Sequence, residues 1–292
     1  MHLNHPTNWQ TVSLPDSART SSKRYGLHGQ AQWSYPTLAS NPNAAKKVAG
    51  ESLSSGKTII MVPGLVSDAE CEALESAGRT VVNEQYPSDS TPGLVRLPLK
   101  TAGDQRRAAD GAARAREAPQ PGLTSTEDNR LAETILLQVL QFVDAELPTL
   151  VRSEFHAPPT LPKEVPRPGL VELYGARELE FAPREPAVNI YGAGGAFAPH
   201  KDYQALTVLV ALSSPASFQG GGTGFWSPAE SEDDLTSTPT LVMRPPRGAV
   251  LLFGGGVMHA GLELEAGSRA VFVASFSNKL FKPPGGFGQL FE

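Results

Sequence analysis

The stretch Tyr191-Gly-Ala-Gly-Gly-Ala-Phe-Ala-Pro-His200-Lys201-Asp202 joins a glycine-rich turn to a histidine and an aspartate two positions apart. In extended backbone, side chains two apart point to the same face, so His200 and Asp202 are expected to aim at one point. His259 follows an apolar run at 249–253 and supplies a second imidazole. Two histidines and one carboxylate form the facial triad of non-haem iron(II) sites, which leaves coordination positions open. We therefore predict that His200, Asp202 and His259 bind iron(II).

An arginine further along the chain strengthens this prediction. His-x-Asp alone is a weak pattern, because an ordinary surface or core histidine would look the same. Arg269 lies ten positions after His259, at the start of the apolar run 270–276. A dicarboxylate that chelates iron through one end leaves its second carboxylate inside the protein, where an arginine can bind it with two hydrogen bonds. The alternative is a solvent-exposed arginine at a strand end; with His259 upstream, we favour the carboxylate partner.

The chain is helical before it is β-rich. A short apolar strand is predicted at 58–62, and the capping box Ser67-Asp-Ala-Glu70 predicts a helix to about Gly78. A second helix is predicted from Thr126 to Pro148. Further apolar runs, separated by glycine and proline, follow at 188–191, 206–212, 241–243, 249–253 and 270–276. This order predicts an α+β protein whose C-terminal half is a β-sandwich or barrel and carries the chemistry.

Two segments lie outside this pattern. Residues 1–56 are rich in Ser, Asn, Pro, Gly and Gln and are predicted to form a partly irregular N-terminal extension of a main domain at 57–292. Residues 86–122 are predicted to be loop-like and contain the Ala/Arg segment 106–116. We interpret that segment as a solvated helical insert or mobile loop; a docking site for an anionic partner is the less favoured alternative.

Composition restricts the class of protein further. Hydrophobic residues make up 40% of the 292 residues, which predicts a packed core, and the single cysteine, Cys71, excludes an intrachain disulfide. The net charge of −5 argues against a general nucleic-acid partner. The first thirty residues contain no signal-peptide apolar region, and no apolar run reaches the length of a membrane span. We predict a cytoplasmic protein without a membrane partner and leave its oligomeric state open.

The stretch 188–277 resembles the prolyl 4-hydroxylase-like branch of the iron(II)/2-oxoglutarate dependent oxygenases. The matching pieces are the Tyr191–Asp202 stretch quoted above, Leu206-Thr-Val-Leu-Val-Ala-Leu, Gly221-Gly-Thr-Gly-Phe225, Pro246-Arg-Gly-Ala-Val-Leu-Leu-Phe253, His259-Ala-Gly and Gly267-Ser-Arg269. Residues 59–74 look, more loosely, like the strand and helix that open the same domain.

The resemblance implies a fold and a reaction. It implies a double-stranded β-helix, or jelly roll, backed by helices, with a catalytic core at about 184–280. It places Tyr191 inside the barrel, with its hydroxyl near the co-substrate carboxylate. It implies iron(II), 2-oxoglutarate and dioxygen, with ascorbate as a candidate accessory reductant. The expected reaction hydroxylates a C–H bond of a prolyl residue or of a small amino-acid-like molecule, while 2-oxoglutarate is decarboxylated to succinate.

The sequence says less about the substrate. Asn189 precedes Tyr191 by two positions and is predicted to share its inward face, while Tyr203 and Trp226 flank the predicted mouth. For both aromatic residues, core packing is an equal alternative. A peptidyl and a small-molecule substrate both stay open. The alternative function is a non-catalytic jelly-roll metal-binding or sensor protein, and the acidic balance disfavours a nucleic-acid demethylase.

Overall fold

The computed structural model describes residues 10–13, 53, 58–86, 92–99, 122–123, 125–156, 167–226 and 238–279. The helices are α1 (Asp68–Gln85), α2 (Thr126–Glu146), α3 (Pro148–Glu154) and α4 (Leu170–Gly175). The strands are β1 (Gln10–Ser13), β2 (Thr58–Val62), β3 (Leu94–Pro98), β4 (Leu179–Phe181), β5 (Ala187–Tyr191), β6 (Phe197–His200), β7 (Leu206–Ala211), β8 (Phe218–Gly220), β9 (Thr223–Phe225), β10 (Leu241–Met243), β11 (Val250–Phe253), β12 (His259–Gly261), β13 (Leu264–Gly267) and β14 (Arg269–Asn278).

The strands form two main sheets, and their pairings are antiparallel. The major sheet has the order β1-β2-β11-β7-β14-β5-β3, with β4 also paired to β14, and the minor sheet has the order β10-β9-β12-β6. A short ribbon pairs β13 with β8. Along the chain, β5, β7, β11 and β14 of the major sheet alternate with strands of the minor sheet. This alternation is the topology of a double-stranded β-helix, so the predicted α+β jelly roll is confirmed.

Helices cover the outer face of the major sheet. The Ser67 capping box begins α1, and Ser125 caps α2 by accepting from two backbone N–H groups. Buried apolar side chains of α1 and α2 form one core cluster with the outward-facing side chains of β5, β7 and β14. Because helices cover one face and the minor sheet faces the other, all ten residues of β14 are buried.

A second core fills the space between the two sheets. It contains Phe225 and Leu241 from the minor sheet and Leu209, Leu251 and Val271 from the major sheet. At one end of this interior, polar side chains replace the apolar ones. That end of the sandwich carries the candidate site.

The predicted end of the first helix and the predicted loop after it are wrong. Helix α1 continues past Gly78 to Gln85. A Cβ at Gly78 would lie 3.0 Å from Cδ1 of Ile190, so this glycine allows the helix to approach the sheet closely and is not a terminator. The region predicted to be loop-like contains β3, whose side chains alternate between buried and half-buried.

The remaining predictions differ in how far the structure bears on them. Thr126–Glu146 agrees with the predicted second helix. Within the predicted N-terminal extension, Gln10–Ser13 pairs with β2. The Ala/Arg segment 106–116 lies outside the described residues, and the division at residue 57 stays a prediction. Within the described ranges, no single helix is long and apolar enough to span a membrane.

Candidate active site

Strand pairing brings the two predicted histidine ligands together. His200 is the last residue of β6, and His259 is the first residue of β12. These strands are neighbours in the minor sheet, and their register places His259 directly opposite His200. The two imidazole ring centroids lie 4.3 Å apart. The pairing of β6 with β12 therefore brings together two histidines that lie far apart in the sequence.

Asp202 lies between the two imidazoles. Its Oδ1 is 3.3 Å from Nε2 of His200, and its Oδ2 is 3.6 Å from Nε2 of His259. One ligand atom from each of the three residues lies within 4.8 Å of the others. Two imidazole nitrogens and one carboxylate oxygen in this arrangement fit a facial triad for iron(II). Among the described residues, it is the one cluster of this kind.

The second nitrogen of each imidazole bonds a backbone carbonyl. Nδ1 of His200 lies 2.8 Å from the carbonyl oxygen of Ala198, and Nδ1 of His259 lies 3.0 Å from that of Val257. A carbonyl oxygen only accepts, so each Nδ1 donates to it, and Nε2 is the ring nitrogen that faces Asp202 in both histidines. A backbone partner of this kind is how proteins orient histidine ligands for a metal.

Hydrogen bonds hold the Asp202 carboxylate in its ionised form. Burial by itself would raise its pKa, but the hydrogen bond from His200, the charge of His259 and the hydroxyl of Thr207 together hold the pKa well below its usual range. Thr207 Oγ1 donates to Oδ2 of Asp202 at 2.6 Å. Burial lowers the pKa of His259, which favours the neutral imidazole that metals bind. The protonation states of Asp202 and His259 thus suit metal binding.

A cavity extends from this triad into the sandwich. Its wall is partly apolar, with Leu209, Val271 and Val273 contributed by the major sheet. Arg269 and Thr223 line the cavity as well. The cavity therefore connects the metal-type triad to a buried guanidinium.

Arg269 is buried, and no described carboxylate pairs with it. The residue is 4% exposed; Nη1 donates to the carbonyl oxygen of Gly222 at 3.2 Å, and Nη2 donates to Oγ1 of Thr223 at 2.8 Å. Both acceptors are neutral, and within the described part of the chain Arg269 forms no ion pair. Burial lowers its pKa, which reflects the cost of holding this charge away from water. A ligand carboxylate in the cavity would supply the missing partner.

Tyr191 lies beside this arginine. The register of β14 and β5 pairs Arg269 with Tyr191, and the guanidinium carbon lies 5.3 Å from the centroid of the tyrosine ring. A Cβ at Gly261 would lie 2.6 Å from the tyrosine hydroxyl, so the glycine leaves room for it. Burial raises the pKa of Tyr191, and the phenol keeps its proton as a hydrogen-bond donor.

The predicted substrate residues lie in different environments. Asn189 is buried and lines the cavity. Trp226 is 4% exposed and Tyr203 is 45% exposed, and neither is among the described residues that line the cavity. Their role in substrate binding stays a prediction.

Sequence reasoning missed two charged residues of the cavity wall. Arg96 on β3 pairs in register with Asn189, and Glu185 precedes β5. Both line the cavity. The available signal was a charged residue at an alternating position of Leu94-Val-Arg-Leu-Pro98, but the flanking prolines made this segment look like a loop.

No protein-family model and no curated protein matches the sequence. Among solved structures, the chain is similar to a collagen prolyl hydroxylase of Paramecium Bursaria Chlorella virus-1, with 13% identity, 77% of this chain and 98% of that chain covered, and a TM-score of 0.41. It is similar to HygX of Streptomyces hygroscopicus, solved with nickel, 2-oxoglutarate and hygromycin B, with 14% identity, 77% and 84% coverage and a TM-score of 0.44. It is also similar to SnoN, a non-haem α-ketoglutarate dependent epimerase of nogalamycin biosynthesis, with 14% identity, 84% and 88% coverage and a TM-score of 0.46. The chemistry of the cavity therefore has to follow from this chain's own residues.

Proposed function

We propose that the protein is an iron(II)/2-oxoglutarate dependent dioxygenase that hydroxylates a C–H bond of a prolyl residue or of a small amino-acid-like molecule. The supporting observation is the buried guanidinium of Arg269, which has no anionic partner among the described residues and lies in the same cavity as the His200, Asp202 and His259 triad. A metal site alone would not need a buried cation in its cavity. A co-substrate that chelates the metal and carries a second carboxylate needs both the metal triad and a buried cation.

The proposed reaction balances with three reactants and three products. The substrate, 2-oxoglutarate and dioxygen give the hydroxylated substrate, succinate and carbon dioxide. Bound iron(II) would supply dioxygen activation, which no side chain can provide. Ascorbate is an accessory reductant to be tested in the assay and has no part in this balance.

The side chains have separate tasks in this proposal. His200, Asp202 and His259 would hold the metal, and Thr207 orients the Asp202 carboxylate by its hydrogen bond. Arg269 would bind the distal carboxylate of 2-oxoglutarate, because its fork of donors matches a carboxylate and the surroundings exclude water.

Three further groups of the cavity support the same reaction. Tyr191 and Thr223 flank that arginine and can donate hydroxyl hydrogen bonds to the same carboxylate. The apolar wall from β14 limits the access of water to the reacting centre.

A non-catalytic metal-binding or sensor protein is the competing function. Such a protein would retain the triad, but it would gain nothing from a buried arginine that pairs with no carboxylate of the described residues. The two functions differ in whether 2-oxoglutarate binds next to the metal and whether succinate forms.

The test is an anaerobic titration of the iron(II)-loaded protein with 2-oxoglutarate, followed by the visible charge-transfer band of the chelate. The wild-type protein, Arg269→Ala and His259→Ala are compared, with Arg130→Gln on the exposed side of α2 as the matched control. We expect the band in the wild type and in Arg130→Gln, a shift of its midpoint to higher concentration in Arg269→Ala, and no band in His259→Ala. A wild-type protein that binds iron but gives no band would overturn the proposed function.

A further inference from the structure

A second polar cluster faces the cavity, apart from the triad and Arg269. Arg96 donates from Nε to Oδ1 of Asn189 and from Nη2 to Oε1 of Glu185, each at 3.0 Å. Glu185 also accepts from the backbone N–H of Ser275. The side chains of Arg96 and Glu185 are 18% and 4% exposed. This ion pair therefore lies in the wall of the cavity, with Glu185 buried and Arg96 half-buried.

The cluster lies next to both parts of the proposed site. The guanidinium carbon of Arg96 is 5.3 Å from the ring centroid of Phe197, and that ring is 4.6 Å from the imidazole of His200. On the other side, Asn189 lies two positions before Tyr191 in β5, and both residues line the cavity. A molecule bound to the cluster would thus lie beside the metal ligands and beside the co-substrate.

The cluster retains hydrogen-bonding capacity for a ligand. Within the described residues, Nη1 of Arg96 has no partner, although a guanidinium carries five donor hydrogens. The Glu185 carboxylate accepts bonds from Arg96 and Ser275, and a carboxylate can accept about four. A buried ion pair is seldom more stabilising than a packed apolar pair, so fold stability alone does not explain why one lines the cavity.

Charge balance restricts the net charge of the ligand. The proposed iron(II), ionised Asp202, 2-oxoglutarate and Arg269 sum to zero, and Arg96 with Glu185 also sums to zero. A ligand with one net charge would leave that charge uncompensated in a buried site, which is costly. An uncharged molecule and a zwitterion both add no net charge, but only the zwitterion offers a charged group to each member of the Arg96–Glu185 pair.

We propose that Arg96, Glu185 and Asn189 form the substrate subsite and that the substrate is a zwitterion of the free amino acid class. Its carboxylate binds Arg96, and its ammonium group binds Glu185. This inference rests on the proposed function, because it assigns the substrate of the same site, and it selects the small-molecule branch over a prolyl residue inside a protein.

The test uses binding and needs no turnover. The full-length protein is loaded with manganese(II), whose unpaired electrons broaden the proton NMR lines of molecules bound close to it. 2-Oxoglutarate is added first, followed by the twenty free L-amino acids in turn. For each amino acid that is broadened, its N-acetyl derivative and its amide are measured as matched ligands that lack one of the two charges. A blocked proline-rich peptide is the competing substrate.

We expect the NMR lines of at least one free amino acid to be broadened. Its two derivatives should bind at least about 30-fold more weakly, which is the usual effect of removing one partner from a buried charge pair. Arg96→Gln and Glu185→Gln should each weaken amino-acid binding by a similar factor, and Arg96→Lys by less. Arg130→Gln should have no effect. Retained broadening of 2-oxoglutarate in each variant shows that the fold and the metal site are intact.

The contrary outcomes are distinguishable. If 2-oxoglutarate is broadened but no free amino acid is, or if the blocked peptide or the N-acetyl derivatives bind as well, the zwitterion subsite is wrong while the proposed function stands. If 2-oxoglutarate is not broadened by the manganese protein, the proposed function fails and this inference fails with it.

Discussion

Arg269 and Tyr191 are direct partners across β14 and β5, and the guanidinium carbon lies 5.3 Å from the tyrosine ring centroid. The register fixes both side chains at the same depth of the cavity. The ring face offers the guanidinium a weak attraction but no counter-charge, since a cation–π contact contributes only about 0.5–2 kcal/mol. This pair therefore leaves the binding of a carboxylate as the main electrostatic task of Arg269.

Arg269→Ala should weaken 2-oxoglutarate binding by about 2–5 kcal/mol, which is roughly 30-fold to several thousand-fold in Kd. The Kd of Arg269→Lys for 2-oxoglutarate should lie between those of the wild type and Arg269→Ala, because lysine keeps the charge but cannot form two parallel hydrogen bonds to a carboxylate. The anaerobic chelate titration measures both. Metal affinity in the absence of 2-oxoglutarate is the control and should not change; equal Kd values for 2-oxoglutarate in all three proteins would contradict the assigned role.

Gly261→Ala should weaken 2-oxoglutarate binding by about tenfold, because its Cβ would lie 2.6 Å from the Tyr191 hydroxyl and displace it. The backbone of Gly261 is not among the positive-φ positions, so alanine introduces no backbone strain. In the double variant with Tyr191→Phe the hydroxyl is gone, and the added effect of alanine should shrink. A double-mutant cycle on the Kd for 2-oxoglutarate measures this coupling, and strictly additive effects would argue against the contact.

Thr207→Val should lower metal affinity by about 10–100-fold, the usual cost of removing a hydrogen bond from a ligating group. Valine has nearly the same shape but cannot donate to Oδ2 of Asp202, as Thr207 does at 2.6 Å. Thr207→Ser keeps the donor and is the matched control. Manganese(II) titrations followed by electron paramagnetic resonance give the three affinities. If valine and serine bound manganese equally well, Thr207 would have no part in orienting the carboxylate.

Cys71 should make the protein less stable at alkaline pH. Burial raises the pKa of its thiol to about 12 in the folded protein, against about 9 when unfolded. The unfolded chain therefore releases a proton above about pH 9 that the folded chain retains, so this stabilisation is complete below that pH and is lost as pH rises toward 12. Urea unfolding at about pH 8 and about pH 10.5 measures the loss.

Cys71→Ala is the control for that experiment, because other groups also titrate above pH 9. The wild type should lose more free energy of unfolding than the variant between the two pH values. Equal losses would show that the thiol ionises as easily in the folded protein as in the unfolded chain.

The metal triad could be predicted from the sequence because its residues are close to fold-defining patterns. His200 and Asp202 are two apart at the end of one strand, and His259 follows a strongly apolar run. The helix at Thr126 was equally predictable, since its apolar positions repeat over more than five turns.

Arg96 and Glu185 could not be found in the same way. Their contact spans 89 positions and depends on β3 pairing in register with β5. The three-residue strands β9 and β12 are likewise too short and too rich in glycine for periodicity to reveal. Gly78 misled the prediction because a helix-ending glycine and a helix-packing glycine look identical in sequence.

The two ends of the cavity belong to different layers of the sandwich. The histidines of the triad belong to the minor sheet, while Arg269 and Tyr191 belong to the major sheet. A co-substrate that joins the metal to the arginine would therefore contact both sheets, as a core side chain between them does. It would tighten the jelly roll as well as serve the reaction, and at a concentration of 100 times its Kd it would add about 2.7 kcal/mol to the free energy of unfolding. In this fold the reagent completes the interior of the protein that consumes it.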